Sequence, residues 1–128
     1  MIRNTRMKRF SIVSAVVAAG AMVLSIMPAQ AADPGVTATE IKLGVSTPLT
    51  GSAGLAYGKV PGAMKAYFDY INANGGVYGR KIKLVVRDDK YLPTLAATQT
   101  TNLILKDNVF ALVGALGTAT HTKAYAAA

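Results

Sequence analysis

The 128-residue chain has no cysteine, no tryptophan, a single histidine, and only six acidic residues against fourteen Lys and Arg. Without cysteine it holds no disulfide framework, no thiolate zinc site, no thiol nucleophile and no cysteine-borne lipid anchor. With His121 as the sole histidine, neither a multi-histidine metal site nor a helical histidine pair forms within the chain. Asp88 and Asp89 are adjacent carboxylates, but a hard cation needs more oxygens than two neighbours supply. The pair reads as solvated charge that ends a strand and meets Lys or Arg nearby. No metal, cofactor or catalytic residue is therefore expected. Charge is scarce as well: 16% of residues are charged against 52% apolar, which excludes a disordered acidic or basic tail.

What is present is unevenly placed. Arg3, Arg6, Lys8 and Arg9 lie in the first nine positions, and no acid precedes Asp33. An uncharged run from Phe10 to Met27 follows, and Pro28-Ala29-Gln30-Ala31 closes it with two small residues around Gln30. A positive start, an apolar middle and an A-x-A site make residues 1–31 a secretory signal peptide, cleaved after Ala31. The competing reading is a transmembrane helix, since the run approaches the roughly 18 to 20 apolar residues that span a bilayer. Ser11, Ser14, Gly20, Ser25 and the helix-breaking Pro28 favour processing. After cleavage the formal charge falls from +8 to about +4, because four of the fourteen basic residues leave with the leader. Most of the case for a nucleic-acid partner leaves with them.

The rest reads as three β-α units. Ile41, Leu43 and Val45 alternate on one face of a strand over 40–45. Ala63, Met64, Tyr67, Phe68 and Ile71 make one stripe on a helix that Pro61 starts and Asn74-Gly75-Gly76 stops. Ile82, Leu84 and Val86, with Val85 on the other face, form a second strand expected to be buried on both sides near its end. A second helix runs from Pro93 to about Lys106 with Ala96, Thr100 and Leu103 inward beside Ala97 and Ile104, and Leu92 is a poor cap for it. Val109 to Val113 is a third strand, after which Thr118 caps a helix running through His121 and Ala124. Strands alternating with helices imply right-handed crossovers and a parallel α/β sheet.

Catalytic and nucleotide motifs are lacking. Gly51, Gly54 and Gly58 do not have the dinucleotide spacing, and Gly54 to Val60 has three residues between its glycines where a P-loop has four. A Ser-His-Asp set drawn from Ser46 or Ser52, His121 and Asp88 has no G-x-S-x-G elbow to place the serine. Two features remain. Gly117 and Thr118 offer backbone N–H groups and a hydroxyl at a helix N-terminus, beyond the carboxyl end of a strand, where parallel sheets bind ligands. They suit a ligand carboxylate, or Thr118 merely caps its helix. Tyr57, in the glycine-rich loop after the first strand, walls an apolar pocket or is a packed loop residue.

Ile41-Lys42-Leu43-Gly44-Val45, Pro48-Leu49-Thr50-Gly51, Tyr57-Gly58 and the stretch Asp69 to Leu84, with Asn72-Ala73-Asn74-Gly75-Gly76-Val77-Tyr78-Gly79-Arg80 at its heart, resemble the type I periplasmic binding proteins of the leucine/isoleucine/valine-binding group. Asp88-Asp89 and Val113-Gly114 continue the match in order, from about Glu40 to Tyr125. The resemblance implies a three-layer parallel-sheet lobe of which only the first three β-α units are present, so that residues 32–128 are an incomplete N-terminal lobe. It implies a substrate-binding component of an ABC importer. Such a protein captures a branched-chain amino acid, or a related small amino acid or amide, in the periplasm and hands it to a membrane permease. In that group the ligand carboxylate is held by the loop after the third strand, here Leu116, Gly117 and Thr118, and the aromatic before the first helix corresponds to Tyr57. Where the family often has consecutive hydroxyl residues this chain reads Gly117-Thr118-Ala119-Thr120, and the acid that meets an α-amino group belongs to a second lobe. The missing cysteine points to a freely soluble periplasmic protein over a lipid-anchored one. Two other roles remain: a ligand-sensing domain of a receptor or regulator with the same fold, and an exported α/β hydrolase.

Overall fold

A computed structural model describes residues 33–128; the leader and its cleavage site lie outside them. The elements run β1 (Glu40–Thr47), α1 (Gly54–Tyr57), α2 (Val60–Ala73), β2 (Lys81–Asp88), α3 (Pro93–Leu105), β3 (Ala111–Leu112) and α4 (Thr118–Tyr125). The three strands form one parallel sheet in the order β2-β1-β3, with Ile41 beside Ile82, Leu43 beside Leu84 and Val45 beside Val86. Going from β1 to β2 and back across β1 to β3 with right-handed crossovers puts α2 on one face and α3 on the other. Side chains agree. A Cβ added to Gly44 would lie 3.1 Å from Leu103 and Val109, on the α3 face. One added to Gly114 would meet Met64 of α2, with Val45 behind it.

The core is small: Val45, Ala96, Leu103, Val109 and Ala124 form it among the described residues. α3 buries Ala96, Thr100 and Leu103 as its periodicity predicts, while Ala97 and Ile104 beside them are only half-buried, and Leu92 makes no side-chain cap. α2 begins with Pro61 in its first turn and stops where Gly75 and Gly76 take φ of +100° and +71°. Its expected stripe is narrower than the sequence suggests. Met64, Phe68 and Ile71 are half-buried while Ala63 and Tyr67 are exposed, because the helix covers only the margin of the sheet.

Two strand expectations are corrected. β2 is not buried on both faces: Val86 is 37% exposed, because β2 is the outermost strand. Its free edge is nevertheless managed. Lys81 and Asp89 donate to Thr39 and Thr47 on the β1 side, so the peptide groups of Ile82 point outward. There the Asn72 side chain meets both, accepting from the Ile82 N–H at 2.7 Å and donating to its carbonyl at 2.8 Å. An asparagine amide thus stands in for a missing strand at this point of the edge. β3 was expected over 109–113 but pairs only at Ala111 and Leu112. Asn108 and Gly114 bracket it with φ of +49° and +64°, and the Val109 N–H is already taken by the Leu103 carbonyl of α3.

Candidate functional site

Because the strands are parallel, their carboxyl ends share one edge, and three connections meet there: 48–53 after β1, 89–92 after β2 and 113–117 after β3. The two aspartates organise this edge, though not through Lys or Arg as the sequence suggests. The Asp88 carboxylate accepts from the backbone N–H groups of Leu49 and Lys90 at 2.9 Å, from that of Thr50 at 3.3 Å, and from the Thr50 hydroxyl. Partial burial alone would push this carboxyl up, but the Thr50 hydroxyl and the Lys90, Leu49 and Thr50 amides outweigh it and hold it at about 2, below its usual 3.8.

Asp89 points the other way along the pleat and is 1% exposed. It accepts from the Ser46 hydroxyl at 3.0 Å and from the Tyr91 N–H at 2.9 Å. Lys90 and Tyr91 both take left-handed backbone, with φ of +53° and +64°, in the turn that Asp89 closes. Ser46 therefore donates to Asp89, and Asp88 is engaged by the loop after β1. The serine, His121 and Asp88 do not assemble as a relay.

A pH dependence follows from Asp88. Its folded-state pKa lies below the unfolded value, so its contribution is present above about 4 and is lost as the pH falls towards 2. Water screens this loop, so the contribution is at most about 1 kcal/mol. Urea denaturation of the Asp88→Asn variant should show a flatter decline in stability over that window. Equal declines in variant and parent would refute the assignment.

At α4 the cap differs from expectation. Gly117, with φ of +96°, is the N-cap, and Thr118 is the first helical residue and not the cap; no side chain caps this end. Among the described residues no acceptor meets the N–H groups of Thr118 and Ala119. Both are exposed, so they face water with the positive end of the helix behind them. The loop is tied down by a residue that sequence reasoning missed: the buried Thr120 hydroxyl donates to the carbonyls of Leu116 and Gly117, the latter at 2.9 Å. A hydroxyl three residues past a glycine was its only trace in the sequence.

Tyr57 ends the short α1, not an open loop, and is partly exposed at the same sheet edge. Leu116, Gly117 and Thr118 come together by adjacency, and no hydrogen bond among the described residues joins Tyr57 to them. A cavity of about 260 Å³ lies beneath α4, lined by Gly44, Ser46, Thr100, Val113, His121 and Tyr125 among others. It opens on the α3 face of the sheet, and neither Tyr57, Gly117 nor Thr118 reaches it. The His121 and Tyr125 rings lie 6.2 Å apart at its rim. Among the described residues no three acidic or histidine side chains gather as a metal site would require.

The family model described as "Periplasmic binding protein" matches residues 40–128. A curated relative, the "Amino acid binding protein" of Pseudomonas aeruginosa, is 40% identical over 77 residues, which are 59% of this chain and 20% of the relative. Among solved structures, the fatty acid ABC transporter substrate-binding protein from Thermomonospora curvata is 36% identical with a TM-score of 0.67, covering 74% of this chain and 24% of that one. The branched-chain amino acid transporter substrate binding protein LivJ from Streptococcus pneumoniae, solved in complex with isoleucine, is 34% identical with a TM-score of 0.65, covering 70% and 26%. The chain thus spans about a quarter of the length of these relatives.

Proposed function

The chain belongs to the periplasmic binding protein family, and we propose that it is the ligand-capturing part of an ABC importer, binding a branched-chain amino acid or a related small amino acid or amide in the periplasm. Residues 1–31 export it, with cleavage after Ala31. The loaded protein hands its ligand to a membrane permease, and it carries no chemistry of its own. The observation that carries this reading is the start of α4: the open N–H groups of Thr118 and Ala119 sit beside a hydroxyl that is not spent on capping. A ligand carboxylate fits there, with Leu116 and Gly117 forming the turn beneath it and Tyr57 contributing from the β1 side of the same edge.

One observation favours a second reading of the ligand. The two carboxylates at this edge, Asp88 and Asp89, are both taken up by the chain's own amides and hydroxyls. At this edge the described residues therefore offer donors for a carboxylate but no spare acid for an α-ammonium. A simple aliphatic carboxylate suits this half of the site as well as an amino acid does, in keeping with the fatty acid transporter component among the relatives.

Thermal denaturation of the full chain with L-leucine, L-isoleucine, L-valine, small amides and 4-methylpentanoate tests both. A ligand that binds raises the melting temperature. Thr118→Ala should weaken that ligand by about 1 to 3 kcal/mol through loss of a charge-assisted hydrogen bond. A melting temperature unmoved by the whole panel would sink the transport reading for this substrate class. A response to 4-methylpentanoate alone would select the second ligand class.

A further inference from the structure

The Tyr91 ring occupies the space in which Gly117 would carry a side chain. A Cβ built on Gly117 would lie 2.4 Å from Tyr91 Cε2 and 3.1 Å from its Cζ. The phenol end of the ring is therefore seated directly on the N-cap of α4, one residue from Thr118. Its position is not adjustable at low cost. The Tyr91 N–H is held by the buried Asp89, Asp89 is held by Ser46, and two consecutive left-handed residues, Lys90 and Tyr91, set the direction in which the ring leaves the backbone. Yet Tyr91 keeps 40% of its surface exposed, so the ring is seated on Gly117 on one side and still meets solvent. A rigid aromatic surface beside two free N–H groups is a wall against which the carbon chain of a bound carboxylate lies.

We propose that Tyr91 is a specificity-determining residue of this site: its ring, seated on the side-chain-less Gly117, walls the ligand's carbon chain while the start of α4 takes the carboxylate. This rests on the reading of α4 as the carboxylate site, and it adds the element that tells one carboxylate from another. The role belongs to the ring and not to its hydroxyl, so Tyr91→Phe retains it and Tyr91→Ala removes it.

Two probes separate the two ideas. Acetate presents the carboxylate with almost no chain, and 4-methylpentanoate presents the same carboxylate with a branched chain. Both are titrated into the isotope-labelled full chain, following the Thr118 and Ala119 amide signals and the Tyr91 ring signals by NMR. Both probes should shift the amides, and 4-methylpentanoate should also shift the ring. Tyr91→Ala should weaken 4-methylpentanoate about tenfold while leaving acetate within a factor of two, since only buried chain surface is lost. Tyr91→Phe should match the parent.

If the amides respond but the parent's ring signals stay still, or if Tyr91→Ala weakens both probes equally or neither, Tyr91 is not the wall and the carboxylate site survives. If neither probe moves the amides, the carboxylate site itself falls and this inference falls with it. The ring measurement is made on the unmutated chain, so misfolding of a variant does not obscure it.

Discussion

Truncating Leu103 to alanine should destabilise the chain by about 2 to 5 kcal/mol, the range for removing a buried leucine side chain and leaving a cavity. Leu103 is 0% exposed and is the largest fully buried side chain among the described residues. Its Cδ2 lies against the bare backbone of Gly44 in β1, where no side chain stands to close the gap. Its carbonyl also accepts from the Val109 N–H, so α3 is coupled at this point to the start of β3. Natural domains hold only about 5 to 15 kcal/mol in total, so the loss is a large share of what keeps α3 on the sheet. The measurement is the urea midpoint at unchanged slope. Leu105→Ala, at a residue 71% exposed on the same helix, is the control and should change stability by less than about 0.5 kcal/mol. Equal shifts for the two variants would mean that the core does not centre on Leu103.

The face of α3 that carries Leu103 was legible in the sequence because it depends on helical period alone, and Pro61 and Asn74-Gly75-Gly76 were legible because backbone chemistry dictates where they sit. What failed depends on neighbours. Val86 has the composition of a strand buried on both faces, and only the order β2-β1-β3, which leaves β2 outermost, makes it half-open. Val109 is apolar enough to continue β3, but its N–H is claimed by the end of α3. Asp88 and Asp89 are indistinguishable as letters. The pleat sends one to the loop after β1 and buries the other against Ser46, so a pair read as solvated charge became two separate anchors. The site shows the same division. A glycine break after β3 marked the turn at 116–118, but the cap falls on Gly117 and not Thr118, at a backbone angle that glycine tolerates and where a ring from a different loop fills the side-chain space.

That accommodation gives the second large effect. Gly117→Ala should cost about 2 to 6 kcal/mol, from two contributions of about 1 to 3 kcal/mol each: a non-glycine residue held at positive φ, and overpacking. Gly117 has φ of +96° and ψ of 130°, outside the small left-handed helical region that other residues tolerate. The added methyl would also lie 2.4 Å from the Tyr91 ring and 2.6 Å from the Thr120 hydroxyl oxygen. Tyr91 is held at its N–H by the buried Asp89, and Thr120 is buried and tied to the Leu116 and Gly117 carbonyls, so relief on either side means breaking contacts that shape this edge. Gly75→Ala separates the two contributions. Gly75 has φ of +100° with nothing within 4 Å of the added atom, so its variant carries the backbone strain without the clash. Gly117→Ala should therefore lose more stability than Gly75→Ala by the overpacking contribution, and only Gly117→Ala should also abolish the response of the Thr118 and Ala119 amides to acetate. If the two variants were equally stable, Tyr91 would not be packed on Gly117, and the wall proposed beside the start of α4 would be absent.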